Sequence, residues 1–490
     1  MLPFLHRRDF LKGSAALAGA GLLTSAVEAA DEPQAQGNGG ANGRLNVAVI
    51  GVNGRGLDHV GGFTNPKRNL NTRITHICDA DSAVIGRAMQ RISKVQGSEP
   101  RYVQDLRRIM DDKSIHIVSI ATPNHWHSLA AIWAMQAGKD VYVEKPVSHN
   151  VSEGRRLVEV ARRTNKICQA GTQIRSSTGV AEAMEFVRSG KLGKLEVARA
   201  LCYKSRPSIG RVNADNPTAT GDIPKTVDYN LWCGPAPQRP LNRRRLHYDW
   251  HWQWDYGNGD LGNKGIHQMD VARWGLGKSE MPRSVLSVGG RFGYIDDGQT
   301  ANTQICVFDY GDAELIFEVR GLPTKPYRGA AVGNVFHCSD GYLVCPSYTS
   351  AIAYSNSGEV LRRFNGSQDH YANFVEAVRS RQREHLKADI LEGHLSSALC
   401  HLANISYRLG RPTPFNPSTH AFGDDRQAGE TLARMEEHLR DNRVPLEKTN
   451  YFLGRRLNID NKTESFVNDN EANRMLTREY RKGFEVPARV

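Results

Sequence analysis

The stretch that decides the fold is LNVAVIGVNGRG, residues 45–56. Its first six residues are mostly apolar, as in a buried strand, and glycines follow at positions 51, 54 and 56. Glycines at a strand-to-helix turn remove the Cβ atoms that would block a phosphate group, and the N–H groups of the next helix can then bind it. The spacing G-x-x-G-x-G departs from the usual G-x-G-x-x-G, so its meaning depends on the surrounding elements.

Short apolar runs and helical segments alternate after this motif. The predicted strands span 45–50, 73–78, 115–121, 139–143 and 166–170. The predicted helices between them lie near 82–95, 104–111, 127–137 and 152–164. This alternation predicts a parallel sheet covered by helices, so we expect an α/β dinucleotide-binding (Rossmann) domain over residues 45–170.

Asp79 follows the second predicted strand, 23 residues beyond Gly56. A carboxylate there can accept hydrogen bonds from an adenosine ribose and repels a 2′-phosphate, which favours NAD over NADP. The alternative is a tight turn with an ordinary aspartate at a strand end. We predict cofactor binding by Gly51, Asn53, Gly54, Arg55, Gly56 and Asp79.

The sequence beyond this domain has a different pattern. Its predicted strands include 195–203, 303–309 and 313–319, the last two within a β-rich region over 285–345. Helical periodicity returns over 370–410. We therefore expect an α+β domain for substrate binding and oligomerisation over 171–440, with a large, mostly antiparallel open sheet. A polar C-terminal extension over 441–490 is expected to wrap the surface.

The first 30 residues are typical of a targeting segment. RRDFLK at 7–12 is a twin-arginine pattern, and a short apolar run and the small residues Ala29 and Ala30 follow it. A flexible linker is expected over 31–44. No later stretch offers 18 consecutive apolar residues, so we expect an exported, periplasmic protein without a stable membrane anchor.

The composition excludes several classes of protein. With 490 residues, 24% charged and 39% hydrophobic, the chain is neither collagen-like, coiled-coil nor wholly disordered. The net charge of +12 comes from basic residues scattered among acids, so we expect a solvated surface and no nucleic-acid partner. Adhesion to acidic polymers is the alternative. The eight cysteines contain no C-x-x-C pair, which argues against a zinc ribbon or a dithiol site.

Two more predicted strand ends face the edge of the sheet that carries the glycines. The segment ATPNHWH, residues 121–127, contains two histidines without a third nearby ligand, so we predict no metal site. We assign Thr122, Pro123, Asn124 and His127 to the cofactor site instead. Glu144-Lys145-Pro146 follows the strand predicted at 139–143, where open α/β sheets bind ligands. A solvated lysine before a loop is the alternative.

Together, G-x-x-G-x-G, TPN-x-x-H and A-x-x-A-G-K-x-V-x-x-EKP resemble the glucose–fructose oxidoreductase/inositol dehydrogenase (Gfo/Idh/MocA) family over about residues 45–410. The resemblance implies a Rossmann domain, a C-terminal α/β domain with an open sheet, and a nicotinamide between them. It also implies that Lys145 lies beside the nicotinamide and the reacting hydroxyl, and that Glu144 contacts the cofactor ribose. A homo-oligomer is implied as well.

A second segment, GNGDLGNKGIHQMD at 257–270, is expected to form the reacting site. If residues 263–274 are helical, Asn263 and His267 share a face. Family members place D-x-x-x-H-x-x-D here, so the resemblance makes His267 the catalytic histidine and Asp270 the last acid. Asn263 stands where the family has its first aspartate. It can orient a substrate but cannot accept a proton.

Oxidation of an alcohol by hydride transfer requires removal of the hydroxyl proton. Lys145, partly desolvated near a cationic ring, is expected to have a lowered pKa and to act as the base. His267 could hydrogen-bond the same hydroxyl or relay its proton.

Aromatic residues alternate at positions 250, 252, 254 and 256. This period of two predicts an extended segment with one aromatic face, which could belong to a sheet core or form a carbohydrate platform. The predicted substrate-binding residues are Asn263, Asp270, Arg175, Tyr203, Trp254 and Tyr256.

Twin-arginine export carries folded, loaded proteins into a compartment with little free NAD, so we expect a tightly retained cofactor. The sequence thus predicts an enzyme that oxidises a secondary hydroxyl of a sugar or polyol. One alternative is an NAD-dependent glycosidase, because residues 257–270 also resemble the α-N-acetylgalactosaminidases of this superfamily. A non-catalytic NAD- or polymer-binding module is the other, because Asn263 breaks the usual triad.

Overall fold

The computed structural model describes residues 43–212, 221–416 and 420–489. The predicted signal at 1–30 and nearly all of the predicted linker at 31–44 lie outside these ranges. Among the described residues, no helix combines the length and the apolar character needed to cross a membrane.

The first domain is a parallel six-stranded sheet with the order β3-β2-β1-β4-β5-β6. Its strands are β1 (Leu45–Ile50), β2 (Thr72–Cys78), β3 (Arg101–Val103), β4 (Ile117–Ile120), β5 (Asp140–Val143) and β6 (Cys168–Ala170). Its helices are α1 (Gly56–Thr64), α2 (Gly86–Gln96), α3 (Arg107–Asp111), α4 (His127–Gln136) and α5 (Val151–Arg163). The predicted Rossmann architecture and its five predicted strands are confirmed, with strand ends that differ by at most two residues. The three-residue strand β3 was not predicted.

The strand order of this sheet reverses at β1. The chain adds β2 and then β3 on one side of β1, and β4 and then β5 on the other. The carboxyl ends of β1 and β4 therefore open a crevice at the switch point, which is where sheets of this kind bind ligands.

The second domain is a 12-stranded mixed sheet, with β7 and β10 parallel and the other neighbours antiparallel. Its strands are β7 (Leu195–Tyr203), β8 (Ser284–Gly290), β9 (Thr303–Asp309), β10 (Glu314–Arg320), β11 (Val332–Cys338), β12 (Gly341–Cys345), β13 (Ser350–Ser355), β14 (Val360–Asn365), β15 (Arg411–Pro414), β16 (Asn450–Leu453), β17 (Leu457–Asp460) and β18 (Ser465–Phe466). The remaining helices are α6 (Thr178–Arg188), α7 (Tyr229–Cys233), α8 (Ile266–Gly275), α9 (His370–Ser380), α10 (Ile390–Arg408), α11 (Arg426–Asp441) and α12 (Asn470–Arg474). The expected large, mostly antiparallel sheet is confirmed.

Helix α10 joins the two domains. Its leucines at 395, 399 and 402 are buried in the core of the second domain, whereas Ile390 belongs to a core of the first. The helix packs against α8 and β8 and also against α5 and β6. It therefore holds α8 close to the first domain, in which Lys145 lies in the loop after β5.

The C-terminal extension does not simply wrap the surface, as its polarity had suggested. Strands β16 and β17 both pair with β8 in the large sheet. Phe484 is buried against Trp126 of the first domain, with ring centroids 5.7 Å apart. Because a polar tail can still bury its few aromatic residues, composition alone misplaced this segment.

Candidate active site

The glycine turn after β1 has two tight glycines and one open one. A Cβ on Gly51 would lie 2.7 Å from the backbone of Ala121, and one on Gly56 would lie 1.8 Å from the carbonyl oxygen of Gly51. Gly54 has φ +96°, and nothing lies within 4 Å of the place that its Cβ would occupy. Gly51 and Gly56 therefore close the turn, and Gly54 leaves room for a ligand that approaches the backbone.

Asp79 ties the end of β2 to this turn. Its carboxylate accepts a hydrogen bond of 2.9 Å from the N–H of Val52 and one of 3.1 Å from the N–H of Asp81. Burial raises the pKa of Asp79. The side chain borders a side cavity of about 700 Å³ that Gly51, Asn53, Thr122 and Pro123 also line. The cavity thus joins the glycine turn to Asp79, and the role of Asp79 at a ribose stays a prediction.

A larger cleft of about 1120 Å³ lies between the two domains. The first domain lines it with the glycine turn, the loop after β4 and the loop after β5. The second domain lines it with the loop after β7, with α8 and the turn before it, and with neighbouring segments. The lining residues used below are Gly54, Arg55, Thr122, Asn124, His127, Glu144, Lys145, Gln173, Lys204, Arg206, Asn263, Lys264, His267 and Tyr348. The two residues predicted to be catalytic, Lys145 and His267, therefore line the same cleft from different domains.

Lys145 is held in place by the second domain. Its Nζ donates a hydrogen bond of 2.6 Å to the carbonyl oxygen of Asn263. Burial lowers the pKa of Lys145 to about 8, although the adjacent Glu144 acts in the opposite direction. An amine with such a pKa is partly neutral near pH 8 and can accept a proton.

The segment that meets Lys145 is a single turn of π-helix, Leu261–Gly265, and the α-helix begins only at Ile266. The condition that residues 263–274 are helical is therefore met, although by a π turn followed by α8 and not by one continuous α-helix. A Cβ on Gly262 would lie 3.2 Å from Cγ of Pro146, and one on Gly265 would lie 2.1 Å from the Phe317 ring. Gly262 therefore lets the π turn approach Pro146 of the first domain, and Gly265 lets it pack against β10 of its own domain. Single π-helical turns of this kind are common at functional sites.

His267 is only 6% exposed, and its Nδ1 has no hydrogen-bond partner among the described residues. Burial, together with the charge of Lys145, lowers its pKa well below the usual value, so the imidazole is neutral. The buried hydroxyl oxygens of Thr122 and Tyr348 also lack partners within the described ranges. Three unsatisfied polar atoms bordering one cleft indicate a ligand with hydrogen-bonding groups.

Glu144 is a buried carboxylate with several donors. Its Oε1 accepts hydrogen bonds from Nε of Arg55 at 2.7 Å and from Gln173 at 3.2 Å, and it lies 3.2 Å from Nε2 of His59. Burial alone would raise the pKa of Glu144, but Arg55 and His59 hold it well below its usual range. The carboxylate is therefore ionised beside Lys145 at neutral pH.

The loop after β4 holds the cleft together. His127 lies between two backbone carbonyl oxygens, with its Nδ1 2.6 Å from that of Pro146 and its Nε2 2.8 Å from that of Thr122. Asn124 donates to the side chain of Asn258 at 3.0 Å. No metal-binding cluster of three His, Cys, Asp or Glu residues occurs within the described ranges. His127 thus connects the loop after β4 to the loop after β5, and its role beside a cofactor stays a prediction.

Five of the six predicted substrate residues do not line the cleft, and three of these, Arg175, Asp270 and Tyr203, have partners inside the protein. Arg175 forms a buried two-pronged ion pair with Asp270, with hydrogen bonds of 2.8 Å, and Ser396 donates to the same carboxylate at 2.6 Å. Tyr203 donates to Glu318 at 2.6 Å on the sheet. A buried charge or hydroxyl must find a partner, and these side chains find theirs within the protein.

The aromatic stretch is not extended, and that prediction is wrong. Residues Asp249–Trp252 form a 3₁₀ turn, which Asp249 stabilises by accepting a hydrogen bond of 3.0 Å from the N–H of Arg245. Trp250 borders the cleft, whereas Tyr256 is buried beside Trp232 with ring centroids 5.0 Å apart. Trp254 lies in a separate groove, under the guanidinium of Arg408. The aromatic rings therefore form neither a strand of the sheet nor one flat platform.

The cleft residues that were not predicted include Lys204, Lys264, Tyr348 and Gln173. Lys264 stands inside the quoted segment 257–270, so its position in the motif was an available signal. Tyr348 and Gln173 lie in loops without any motif, and only the fold brings them to the cleft.

Comparisons with known proteins agree with this architecture. One family model, described as an oxidoreductase family NAD-binding Rossmann fold, matches residues 45–172, and its partner, the C-terminal alpha/beta domain, matches residues 210–441. The chain belongs to the Gfo/Idh/MocA oxidoreductase family. A twin-arginine translocation signal matches residues 5–24, so the protein is exported by that pathway.

Curated relatives match part of this Gfo/Idh/MocA protein. A glycosyl hydrolase family 109 protein of a Shewanella strain is 32% identical over 207 residues, and an alpha-N-acetylgalactosaminidase of Shewanella oneidensis is 30% identical over 207 residues. Each match covers 39% of this chain and 44% of the relative.

Solved structures share the fold. The WlbA dehydrogenase of Bordetella pertussis, in complex with NADH and UDP-GlcNAcA, has a TM-score of 0.54 at 17% identity and covers 74% of this chain and 97% of its own. A levoglucosan dehydrogenase, in complex with NADH and levoglucosan, has a TM-score of 0.53 at 19% identity, with the same two coverages.

Proposed function

We propose that this protein oxidises a secondary hydroxyl of a carbohydrate or polyol by hydride transfer to a tightly held NAD. The observation that carries the proposal is the meeting of Lys145 and His267, from separate domains, in one cleft that also contains the glycine turn.

The residues present fit a nicotinamide dinucleotide. Gly54 leaves open space above the turn, and Asp79 lies at the adjoining cavity, where it would receive the adenosine ribose and disfavour a 2′-phosphate. Thr122, His267 and Tyr348 present polar atoms that lack partners among the described residues. When bound, the nicotinamide supplies the site that accepts the hydride.

Lys145 removes the proton of the reacting hydroxyl. Its lowered pKa leaves a useful neutral fraction near pH 8, and the carbonyl oxygen of Asn263 orients the amine at 2.6 Å. Neutral His267 holds the same hydroxyl through a hydrogen bond. Asn263 takes part through its backbone, so an asparagine serves here even though its side chain cannot accept a proton.

A glycosidase that uses oxidation as a temporary step is the second candidate, because the curated matches of 30–33% identity include glycosyl hydrolases. Oxidation at a ring carbon acidifies the neighbouring C–H, which permits elimination of the aglycone. Water then adds and the hydride returns, so the net reaction is hydrolysis. This sequence needs a second proton acceptor beside Lys145, and neutral His267 would provide it.

The export route supports a retained cofactor for either reaction. A protein that crosses the membrane folded can carry its cofactor with it, and a closed redox cycle removes the need for exchange outside the cytoplasm.

Purified mature protein, incubated with free sugars and with aryl glycosides in the absence of added NAD, tests the proposal. A rise in the absorbance of reduced nicotinamide with free sugars supports oxidation, and release of the phenol supports the glycosidase. If no substrate gives either signal, the oxidoreductase and the glycosidase proposals are both overturned. A non-catalytic binding module is then the remaining interpretation.

A further inference from the structure

The charge of the active-site cleft is strongly unbalanced. Among the described residues, one acidic side chain lines it, that of Glu144. Five basic side chains line it as well: Arg55, Lys145, Lys204, Arg206 and Lys264. A concave site with such an excess attracts anions.

Two of these cations already have partners. Arg55 lies 2.7 Å from Glu144 and 3.0 Å from Asp58. Arg206 forms two hydrogen bonds, of 2.7 and 3.1 Å, to the buried carboxylate of Asp260. Their charge is therefore largely neutralised within the protein.

Lys204 and Lys264 have no such partner. Within the described ranges, no carboxylate lies in ion-pair contact with either ammonium, and the only close partner of Lys264 is the face of the Tyr348 ring, 4.9 Å from Nζ. Both lysines line the same cleft, and desolvation and the charges of Arg206 and Lys264 lower the pKa of Lys204. An anion bound there would reduce the mutual repulsion of these cations.

Both lysines belong to the reacting side of the cleft. Lys264 follows Asn263, whose carbonyl oxygen contacts Nζ of Lys145 at 2.6 Å, and Lys204 directly follows β7. The glycine turn that would receive the cofactor phosphates belongs to the other domain. An anion at these lysines is therefore part of the substrate rather than of the dinucleotide.

We propose that Lys204 and Lys264 bind an anionic group of the substrate, so that the protein acts on an acidic carbohydrate that carries a carboxylate or a sulfate. This inference rests on the proposed function and names its substrate class. Two ammonium groups on flexible stems suit either anion, since they act as point charges with rotatable donors.

Turnover of matched sugars tests the inference. Methyl glucoside, methyl glucuronide and glucose 6-sulfate are compared by kcat/KM with wild-type protein and with Lys204→Met and Lys264→Met. Lys204→Met is expected to lower kcat/KM for the preferred acidic sugar about five- to tenfold and to leave the neutral sugar within about twofold. The charge of Lys264 also helps to lower the pKa of Lys145, so Lys264→Met is expected to slow both sugars but the acidic sugar about five- to tenfold more. The acidic sugar with the higher wild-type kcat/KM identifies carboxylate or sulfate as the anion.

Two variants serve as controls. Lys264→Arg keeps the charge and should retain most of the preference. Lys448→Met removes an exposed lysine that is not among the lining residues and should change nothing. Raising NaCl from about 0.05 to about 0.5 M should weaken the preference, because salt screens exposed charges.

Calorimetric binding of the same sugars keeps the test independent of turnover. The inference is supported, even if no product forms, when the wild-type protein binds an acidic sugar more tightly than the neutral one and both Lys→Met variants lose this difference in affinity. Equal binding of acidic and neutral sugars, equal losses for both in the variants, or weakened NAD binding instead would overturn it. In those cases the proposed function still stands if any sugar is oxidised, so the two failures are distinguishable.

Discussion

At the scale of single residues, the proposed proton transfer depends on Lys145. Its amine is desolvated, lies beside an ionised Glu144 and is oriented by a backbone carbonyl of the other domain. These contacts keep the amine at one place, and desolvation brings its pKa to about 8. The same lysine on the surface would stay protonated and could not act as a base at neutral pH.

The pH dependence of kcat/KM follows from this pKa. Because burial lowers the pKa of Lys145, the neutral amine accumulates as the pH rises towards about 8, so kcat/KM should increase up to that pH and then level off. Lys145→Met should lower kcat by about 10²–10⁴-fold without loss of bound cofactor.

Lys145→Arg is the control for charge alone. Arginine keeps the positive charge but does not deprotonate, so this variant should be as inactive as Lys145→Met. Activity near that of the wild type in Lys145→Arg, or an unchanged pH profile in Lys145→Met, would show that another group is the base.

Lys145 and His267 could be selected from the sequence because each belongs to a motif with a fixed place in the fold. Arg175 and Asp270 could not be placed, because the sequence does not show that two distant charges will neutralise each other in the interior. Tyr348 was missed for a similar reason, since a loop residue reaches the cleft only through the path of the whole second domain.

At the scale of elements, the glycines of the turn after β1 have two different roles, close packing and the proposed cofactor binding. Gly51 and Gly56 lie against backbone, but Gly54 faces open space. Gly51→Ala should therefore lower the free energy of unfolding by more than about 2 kcal/mol, because the new Cβ meets the backbone of Ala121. Gly54→Ala should cost only about 1 kcal/mol of backbone strain but should weaken cofactor binding.

Gly97→Ala is a matched control for Gly54→Ala. Gly97, at the end of α2, also has a positive φ, +69°, and open space around it, but it does not border the cleft. Denaturant unfolding and NAD titration of the three variants provide the check. Equal NAD affinity in Gly54→Ala and Gly97→Ala would contradict the assignment of Gly54 to the cofactor.

The ion pair between Arg175 and Asp270 connects the segment after β6 to α8. Asp270 also accepts a hydrogen bond from Ser396 of α10, so its carboxylate joins three elements. Asp270→Asn should destabilise the protein by about 1–3 kcal/mol, because the buried Arg175 loses one charged hydrogen-bond partner but keeps Glu392, 2.9 Å from its Nη2.

An exposed pair provides the comparison for this substitution. Glu430→Gln breaks the solvent-exposed contact with Arg426 and should change stability by less than about 0.5 kcal/mol. Thermal unfolding measures both. A raised KM for the sugar in Asp270→Asn, with unchanged stability, would instead indicate that Asp270 binds the substrate.

The alternation of strands and helices over 45–170 predicted the first domain well, because local periodicity determines which face of each element is buried. The tail after residue 441 was misjudged because its few apolar residues pack against distant elements, and no local pattern reports such contacts. The aromatic stretch at 250–256 shows the same limit, since a period of two in sequence does not require an extended backbone.

At the scale of the whole molecule, the cleft needs both domains, because each of them contributes lining residues. The first supplies Lys145 and the glycine turn, the second supplies His267 and the carbonyl oxygen that orients Lys145, and α10 packs against both. The twin-arginine signal adds export by that pathway. The retained cofactor proposed above agrees with such a route.

The most direct test follows deuterium from the substrate. Mature protein purified with its cofactor is mixed with a fully deuterated sugar that it turns over, and the nicotinamide is then examined by mass spectrometry. We predict one deuterium on the nicotinamide of the wild-type protein and none in Lys145→Met at equal cofactor content. Net oxidation of the sugar with no deuterium on the nicotinamide, or the same transfer in Lys145→Met, would contradict hydride transfer at this cleft.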